Sequence, residues 1–258
     1  MIFLKSQEEI ERMRDANQIV ALVLEGLKDI IEPGITTWDL DKTAGELTHK
    51  KGARAAFKGY RGYPASICVS VNDEVVHGIP SKKKVLKEGD IVSLDFGAYY
   101  NGFYGDSAVT VPVGGASPQA VELLEVTRDA LCRGIDMARP LNRLFDISRV
   151  IQTYVEGRGF NVVRTFVGHG IGRRLHEDPQ VPNFVPKDGR GFMGVRLKAG
   201  MVLAIEPMVN VGTSEVRVLE DGWTTVTCDG SLSAHFEHTV AITTEGPLIL
   251  SNLDGVKA

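Results

Sequence analysis

The sequence predicts an α/β protein in which two related halves share one central sheet. Two helical segments are followed by strand-like segments, and the same order then occurs a second time. A nine-residue pattern, Lys-x-Gly-x-apolar-apolar-small-apolar-acid, also occurs twice, at 87–95 and at 198–206. A length of 258 residues with 43% hydrophobic content is sufficient for one large domain. We therefore expect a single catalytic domain over 1–258, with halves at approximately 1–112 and 113–258.

The first half begins with two predicted helices. Ser6-Gln-Glu-Glu9 has the form of a capping box, in which the serine and the glutamate bind each other's backbone amides at a helix start. Apolar residues then recur at helical spacing as far as Ile31, and Pro33-Gly34 ends the pattern. A second helix is predicted over roughly Thr37 to Lys50. The strands of the first half are expected after this helix pair.

The second half opens in the same way. Ser117-Pro118 places a capping serine before a proline at the first helical position, and Val121, Leu124 and Leu131 continue in helical phase. A partner helix is predicted from about Leu144 to Glu156, and strand-like segments follow it. The order of elements therefore repeats that of the first half.

The two halves are related by one constant offset. Ser6 and Ser117, the two capping serines, are 111 residues apart, and so are Asp95 and Glu206, the acids that close the repeated nine-residue pattern. Two matches with the same offset favour an internal duplication. A pseudo-twofold arrangement of the halves would bring Asp95 and Glu206 to opposite sides of one central sheet.

The segment 93–108, SLDFGAYYNGFYGDSA, predicts a β-hairpin with one aspartate on each arm. Asn101-Gly102 is typical of a two-residue type I′ turn, because both central residues of that turn need positive φ. The turn fixes a register in which Gly97 opposes Asp106. Because side chains alternate between the faces of a strand, Asp95 and Asp106 share one face, with Cβ atoms at most about 7–8 Å apart. Two like charges this close need a reason beyond the hairpin itself.

Composition and charge exclude several classes of protein. The net charge of −4 provides no footprint for nucleic acid, and Lys82-Lys83-Lys84 is one short solvated patch. The sequence has no apolar run long enough to span a membrane, and MIFLKSQEE is too short and too quickly acidic for an export signal. The widely spaced Cys68, Cys132 and Cys228 predict reduced thiols. We expect a cytoplasmic protein that binds neither nucleic acid nor membranes.

Acids and histidines in strand-like or glycine-rich surroundings indicate a metal site. Each of them alone is more often structural, but four carboxylates in mostly apolar strands cannot all ionise near one another without positive charge. Two divalent ions would balance these four, and oxygen ligands with a single imidazole suit Mn, Fe, Co or Zn, so the physiological ion stays open. A pair of such ions is a recurring device for hydrolysis. The acids are Asp95, Asp106, Glu206 and Glu237, and the histidines are His77, His169 and His176.

Other catalytic motifs fit the sequence poorly. Gly168-His-Gly-Ile-Gly172 lacks the G-x-G-x-x-G spacing of a nucleotide-binding loop, and His176-Glu177 is not part of an H-E-x-x-H motif. The sequence has no G-x-S-x-G motif for a serine nucleophile. A hydrolase with a dinuclear metal centre is therefore favoured over a nucleotide-binding or serine-dependent enzyme.

Six short motifs together resemble those of the type I methionine aminopeptidases over nearly the whole chain. They are VVHGIP at 75–80, GDSA at 105–108, VGHGIG at 167–172, HEDPQVPN at 176–183, AIEPM at 204–208 and FEHT at 236–239. The resemblance implies the duplicated "pita-bread" fold, with a central antiparallel sheet flanked by helices, in agreement with the 111-residue offset. It also implies removal of the N-terminal initiator methionine from nascent proteins when the second residue is small.

The resemblance implies a role for each candidate residue. The implied metal ligands are Asp95, Asp106, His169, Glu206 and Glu237, with Asp106 and Glu237 bridging two ions. His77 would contact the departing amide nitrogen and His176 the carbonyl oxygen, while Glu206 would accept a proton from the attacking water. An apolar pocket for the methionine side chain would be lined by Tyr60, Tyr63, Cys68, Leu175 and Trp223. Leu175 stands where some relatives carry phenylalanine.

Two other functions share this fold. An Xaa-Pro dipeptidase or aminopeptidase carries the same metal ligands, but those enzymes have a substantial domain before the catalytic one, whereas 94 residues precede Asp95 here. A non-catalytic binding protein of this fold would be expected to lose ligands, and all five are present. We expect a bacterial-like type I enzyme without an N-terminal extension. It would act as a monomer on nascent N-termini, with the ribosome as a transient neighbour.

Overall fold

The computed structural model describes residues 1–186 and 194–253. Within them it has four α-helices, and all four follow the predicted positions: α1 is Gln7–Lys28, α2 is Thr37–Lys50, α3 is Pro118–Asp136 and α4 is Leu144–Gly157. At the start of α1, the N–H of Glu9 donates to the Ser6 hydroxyl, and the N–H of Ser6 donates to the Glu9 carboxylate. The capping box is therefore confirmed. Helix α1 ends at Lys28, before Ile31, with Asp29 as its C-cap.

Fifteen short strands among the described residues form one large sheet and two small ones. The large sheet has the strand order β1-β4-β5-β14-β9-β7-β8, with β2 also pairing with β4 and β15 with β14. The small sheets have the orders β13-β10-β6 and β11-β12-β3. The strands are β1 Arg54–Ala55, β2 Cys68–Val71, β3 Glu74–Val76, β4 Ile91–Tyr100, β5 Phe103–Pro112, β6 Asn161–Val162, β7 Gly168–Gly170, β8 Glu177–Val181, β9 Val202–Ile205, β10 Met208–Asn210, β11 Val216–Val218, β12 Thr225–Thr227, β13 Ser233–His235, β14 Glu237–Thr243 and β15 Gly246–Ile249.

The centre of the large sheet has a pseudo-twofold order of strands. Antiparallel β5 and β14 pair in the middle, and β4 and β9, which carry the two copies of the nine-residue pattern, lie outside them. Asp95 and Glu206 therefore lie on either side of the central strand pair but on the same face of the sheet, and not on opposite sides of the sheet. From this order of strands we propose that the two related halves are approximately 1–112 and 113–258. Residues 254–258 lie outside the described part of the chain.

The predicted hairpin is confirmed in its register. Gly97 of β4 pairs with Asp106 of β5, and Asn101 and Gly102 have φ values of 48° and 89°. The two copies of the pattern differ in length, because β4 continues to Tyr100 whereas β9 ends at Ile205. The reason is Pro207, which cannot donate to a strand ladder. The acid thus follows the end of the strand in the second copy only.

The helices cover one face of the large sheet and leave the other face to the candidate site. The apolar faces of α1 and α2 pack with Val92 and Leu94 of β4, and those of α3 and α4 pack with Leu203 and Ile205 of β9. The three cysteines are free thiols, as predicted. None of the helices in 1–186 and 194–253 combines the length and the apolar character that a membrane crossing requires.

Candidate active site

Three of the four predicted acids lie in one row across the large sheet. Asp95 of β4 pairs with Ala108 of β5, and Ala108 pairs with Glu237 of β14. The register between β14 and β9, continued by one residue, sets Glu206 opposite Glu237. Residues that pair directly across strands point to the same face. The small side chain of Ala108 leaves space between Asp95 and Glu237.

The neighbouring row supplies the fourth acid and a histidine. Asp106 is two residues from Ala108 on β5, so it shares that face. His169 of β7 pairs with Ala204 of β9, which is two residues from Glu206. The strand register therefore brings four carboxylates and one imidazole together on one face.

The cluster has dimensions that suit metal ligands. The Nε2 atom of His169 lies 3.9 Å from Oδ2 of Asp106 and 3.6 Å from Oε1 of Glu206. Potential ligand atoms of Asp106, His169 and Glu237 all lie within 4.8 Å of one another. The Nδ1 atom of His169 lies 2.9 Å from the carbonyl oxygen of Gly170, which accepts its hydrogen. In the neutral ring this bond leaves the lone pair on Nε2, which faces the acids.

The electrostatics of the cluster call for a cation. Burial raises the pKa of Asp95 and of Glu206 to about 7. Burial, followed by neighbouring carboxylates, raises the pKa of Asp106 and of Glu237 well above their ordinary values. Oδ1 of Asp106 and Oε1 of Glu237 are buried and accept no hydrogen bond. Buried acids without donors are expensive unless positive charge compensates them, so these residues fit a site for divalent metal.

His235 also faces this cluster, and sequence reasoning missed it. Its Nε2 lies 3.7 Å from Oε2 of Glu206, and neither ring nitrogen has a hydrogen-bond partner. Burial lowers its pKa, so the ring is neutral at neutral pH. His235 ends β13, and Glu237 begins β14 two residues later, so this two-residue spacing from a predicted ligand was the signal that could have pointed to it.

All twelve predicted site residues line one cavity of about 150 Å³ beside the acid cluster. An apolar group about the size of benzene fits a cavity of this volume. Phe57 and Arg61 also line it and were not predicted. The twelve are Tyr60, Tyr63, Cys68, His77, Asp95, Asp106, His169, Leu175, His176, Glu206, Trp223 and Glu237.

One part of the cavity lining is largely aromatic and apolar. Tyr63 is buried and meets Trp223 edge-on, with ring centroids 5.1 Å apart. The Tyr63 hydroxyl donates to the carbonyl oxygen of Gly78 at 2.9 Å, so its polar atom is satisfied. Buried Cys68 and Leu175 belong to the same apolar cluster. Arg61, with φ of 48°, reaches the wall through a tight turn between two glycines of positive φ, which explains why sequence patterns did not predict it.

His77 and His176 lie between the apolar wall and the acids. His176 stacks on Tyr60 with centroids 5.3 Å apart and meets His169 at 4.1 Å. His77 meets Trp223 edge-on at 6.1 Å. Burial lowers the pKa of His77 to about 4 and that of His176 to about 3. At neutral pH each ring is therefore uncharged, with one nitrogen to donate and one to accept.

His77 is held in an uncommon backbone conformation. Its φ is 61°, a value that costs a residue other than glycine on the order of 1–3 kcal/mol. Gly78 follows it, and a Cβ there would lie 2.3 Å from the carbonyl oxygen of Val69. The close passage of this backbone against β2 therefore requires glycine and turns His77 into the cavity.

Comparisons with known proteins cover almost the entire chain. The model of metallopeptidase family M24 matches residues 11–244. Methionine aminopeptidase of Clostridium perfringens is 54% identical over 97% of this chain and 99% of its own. The crystal structure of a methionine aminopeptidase from Thermotoga maritima has a TM-score of 0.94 and 52% identity, with 98% of this chain and 100% of that chain covered.

A more distant structure shares the fold alone. Prolidase from Pyrococcus furiosus has a TM-score of 0.78 at 23% identity, and the match covers 97% of this chain but 66% of that one. About a third of the prolidase chain therefore has no counterpart in this sequence. The full-length similarity, by contrast, is to enzymes named methionine aminopeptidases.

Proposed function

The chain belongs to metallopeptidase family M24 as a methionine aminopeptidase, and we propose that it removes the initiator methionine from nascent proteins whose second residue is small. One observation carries the proposal: a cavity of about 150 Å³ joins an apolar wall to a buried cluster of acids. A side chain held against that wall has its backbone beside the acids, so the first peptide bond would be the one cut.

The proposed cofactor is a pair of divalent ions, Co, Mn, Fe or Zn, held by Asp95, Asp106, His169, Glu206 and Glu237. Two ions would balance the four carboxylates. Asp106 and Glu237 would contribute to holding both ions, and each has a buried carboxylate oxygen that accepts no hydrogen bond and is available as a ligand. When bound, such ions supply a nucleophilic water at neutral pH and polarise the scissile carbonyl.

Three side chains are proposed to bind the reacting groups and move the protons. His176 would donate an N–H to the carbonyl oxygen as negative charge develops there. His77 would contact the departing amide nitrogen, and Glu206 would accept the proton of the attacking water. The lowered pKa values of the two histidines support neutral rings that can donate or accept without adding charge.

Specificity is proposed to have two sources. The methionine side chain would occupy the wall lined by Tyr60, Tyr63, Cys68, Leu175 and Trp223, and the limited volume of the cavity would exclude a bulky second residue. Because nascent chains emerge in the cytoplasm, the proposal includes a cytoplasmic enzyme. It would act as a monomer, with the ribosome as a transient neighbour.

The test is cleavage of short peptides by purified protein reconstituted with each metal in turn. Free methionine is measured from Met-Gly-Met and Met-Leu-Met, and Met-Ala is compared with Xaa-Pro dipeptides. We expect kcat/KM to be lower by about 100-fold or more when leucine replaces glycine, because the second residue must fit beside the acids. Equal rates for the two peptides would reject methionine excision, and a strong preference for Xaa-Pro would favour a prolidase activity.

A further inference from the structure

A buried ion pair lies just outside the cavity. The Nζ atom of Lys5 lies 2.5 Å from Oε2 of Glu177, and the two side chains are 6% and 4% exposed. Withdrawing two charges from water is costly, and an apolar pair of similar volume would often be at least as stable. A role other than stability is therefore worth seeking in what the pair connects.

On one side the pair holds the segment before α1. Lys5 immediately precedes Ser6, the cap of α1, and its backbone N–H donates to the carbonyl oxygen of Gly200 at 2.7 Å. Its Nζ also lies 3.3 Å from the carbonyl oxygen of Phe3. Lys5 is thus fixed to the turn that leads into β9, the strand that precedes Glu206.

On the other side the pair closes a turn at the cavity. The second oxygen of Glu177, Oε1, accepts the backbone N–H of Arg174 at 3.1 Å. The two residues enclosed by this bond are Leu175 and His176, and both line the cavity. Glu177 therefore uses one oxygen to shape the turn and the other to attach it to Lys5.

We propose that Lys5 and Glu177 are positioning residues that hold the 174–177 turn so that Leu175 meets the methionine side chain and His176 meets the scissile carbonyl. This inference rests on the roles proposed above for Leu175 and His176. Glu177 pairs with Gly170 of β7, next to His169, but none of the proposed metal ligands lies in the 174–177 turn. We therefore expect the pair to affect substrate selection and turnover while the metal content is unchanged.

Gly172 offers a way to disturb the pair without removing a charge. A Cβ at Gly172 would lie 2.5 Å from Cε of Lys5 and 2.9 Å from Oε1 of Glu177. The carbonyl oxygen of Gly172 accepts the N–H of Tyr104 at 2.9 Å, so the backbone there has little freedom to withdraw. An alanine at this position should push the two side chains apart.

The experiment compares Lys5→Met, Glu177→Gln and Gly172→Ala with Lys5→Arg, which keeps the charge. Lys28→Met is the matched control, because it removes a lysine from an exposed pair with Glu25 at 2.6 Å. The readouts are kcat and KM for Met-Gly-Met and for Leu-Gly-Met, with metal content and thermal unfolding measured in parallel. The ratio of kcat/KM for the two peptides reports the position of Leu175, which simple destabilisation would not alter.

We expect the first three variants to lose about tenfold or more in kcat and to discriminate less between the two peptides, because small displacements of reacting groups are costly. Metal content should stay at the wild-type level, Lys5→Arg should restore most of the selectivity, and Lys28→Met should match wild type. Unchanged kcat and selectivity in all three variants, with or without a lower melting temperature, would overturn the inference. A wild-type protein that does not cleave Met-Gly-Met would instead overturn the proposed function, and the inference with it.

Discussion

An aspartate side chain has opposite surroundings in the buried acid cluster and in the loop around Asp229. Exposed Asp229 accepts the hydroxyl and N–H of Ser231 at 2.7 and 3.0 Å, and the N–H of Thr213 at 2.7 Å. Those bonds, the Ser231 hydroxyl first, hold its pKa well below the ordinary value. Buried Asp106 has a carboxylate oxygen without a donor, and burial raises its pKa. An aspartate that stabilises the fold is surrounded by donors, so the cluster indicates a different purpose, namely a cation.

The largest expected effect comes from disturbing the cluster itself. Chelation should abolish activity, and Glu206→Gln should lower kcat by about 100-fold or more, because the proposed proton acceptor is lost. Metal content must be measured beside the rate, since weaker metal binding would lower kcat in the same way. Glu122→Gln, on the exposed face of α3, is the matched control and should match wild type. Full activity in protein verified to be free of metal would contradict the proposed dinuclear mechanism.

A smaller effect should follow from changes at the apolar end of the cavity. Trp223→Ala removes the ring that meets Tyr63 and His77, so methionine should bind less tightly. We expect kcat/KM for Met-Gly-Met to fall by at least about 10-fold, the lower end of the range for a single missing methylene in an apolar pocket. Metal titration by calorimetry should give the wild-type stoichiometry. A parallel loss of metal would show that the apolar wall also affects metal binding by the acid cluster, which would contradict separate roles for the two regions.

The cluster and the wall also differ in how far the sequence predicts them. The turn residues Asn101-Gly102 fix the register of β4 and β5, and alternation then places Asp95 and Asp106 on one face. Strand periodicity is local, so this part of the site follows from the residues without any relative. His235 lies at the end of β13, in a different sheet from Glu237 of β14, so strand alternation alone did not predict it.

The residues of the apolar wall of the cavity were predicted from the family resemblance alone. Leu175 and Trp223 lie in loops, and Tyr60 begins a single 3₁₀ turn, Tyr60–Gly62, that depends on positive φ at Gly59, Arg61 and Gly62. The positions of loops are determined by contacts between distant segments. The buried ion pair of Lys5 and Glu177 is such a contact, and no local sequence pattern predicts it. The helix starts and the hairpin were predicted correctly because caps and turns are determined by neighbouring residues.

The loop around Asp229 gives a smaller, structural prediction. Asp229→Asn should lower the free energy of unfolding by about 0.5–1 kcal/mol. Asparagine replaces a charged acceptor by a neutral one, which weakens the hydrogen bonds, and screening by water at this exposed site keeps the loss small. Urea unfolding at neutral pH, with and without metal, should give the same loss. A loss that appears only with metal would contradict a structural role for Asp229.

The smallest expected effect is the pH dependence of that contribution. A carboxyl group whose pKa is lowered in the folded state stabilises above its unfolded pKa of about 4, and the contribution is lost as the pH falls toward the folded pKa. The difference in the free energy of unfolding between wild type and Asp229→Asn, as measured in urea, should therefore be smaller at pH 3 than at pH 7. A difference that grows on acidification would have the wrong sign.

The most direct test of the claim that the buried acids serve a metal is the stability of Asp106→Asn. Its free energy of unfolding should be measured in urea with chelator, and again with Mn or Co. Without metal, removing one of several repelling carboxylates should leave the protein as stable as wild type or more stable, whereas added metal should stabilise wild type more than the variant. A loss of about 1–3 kcal/mol in the metal-free variant, the cost of breaking hydrogen bonds to a structural aspartate, would contradict the account.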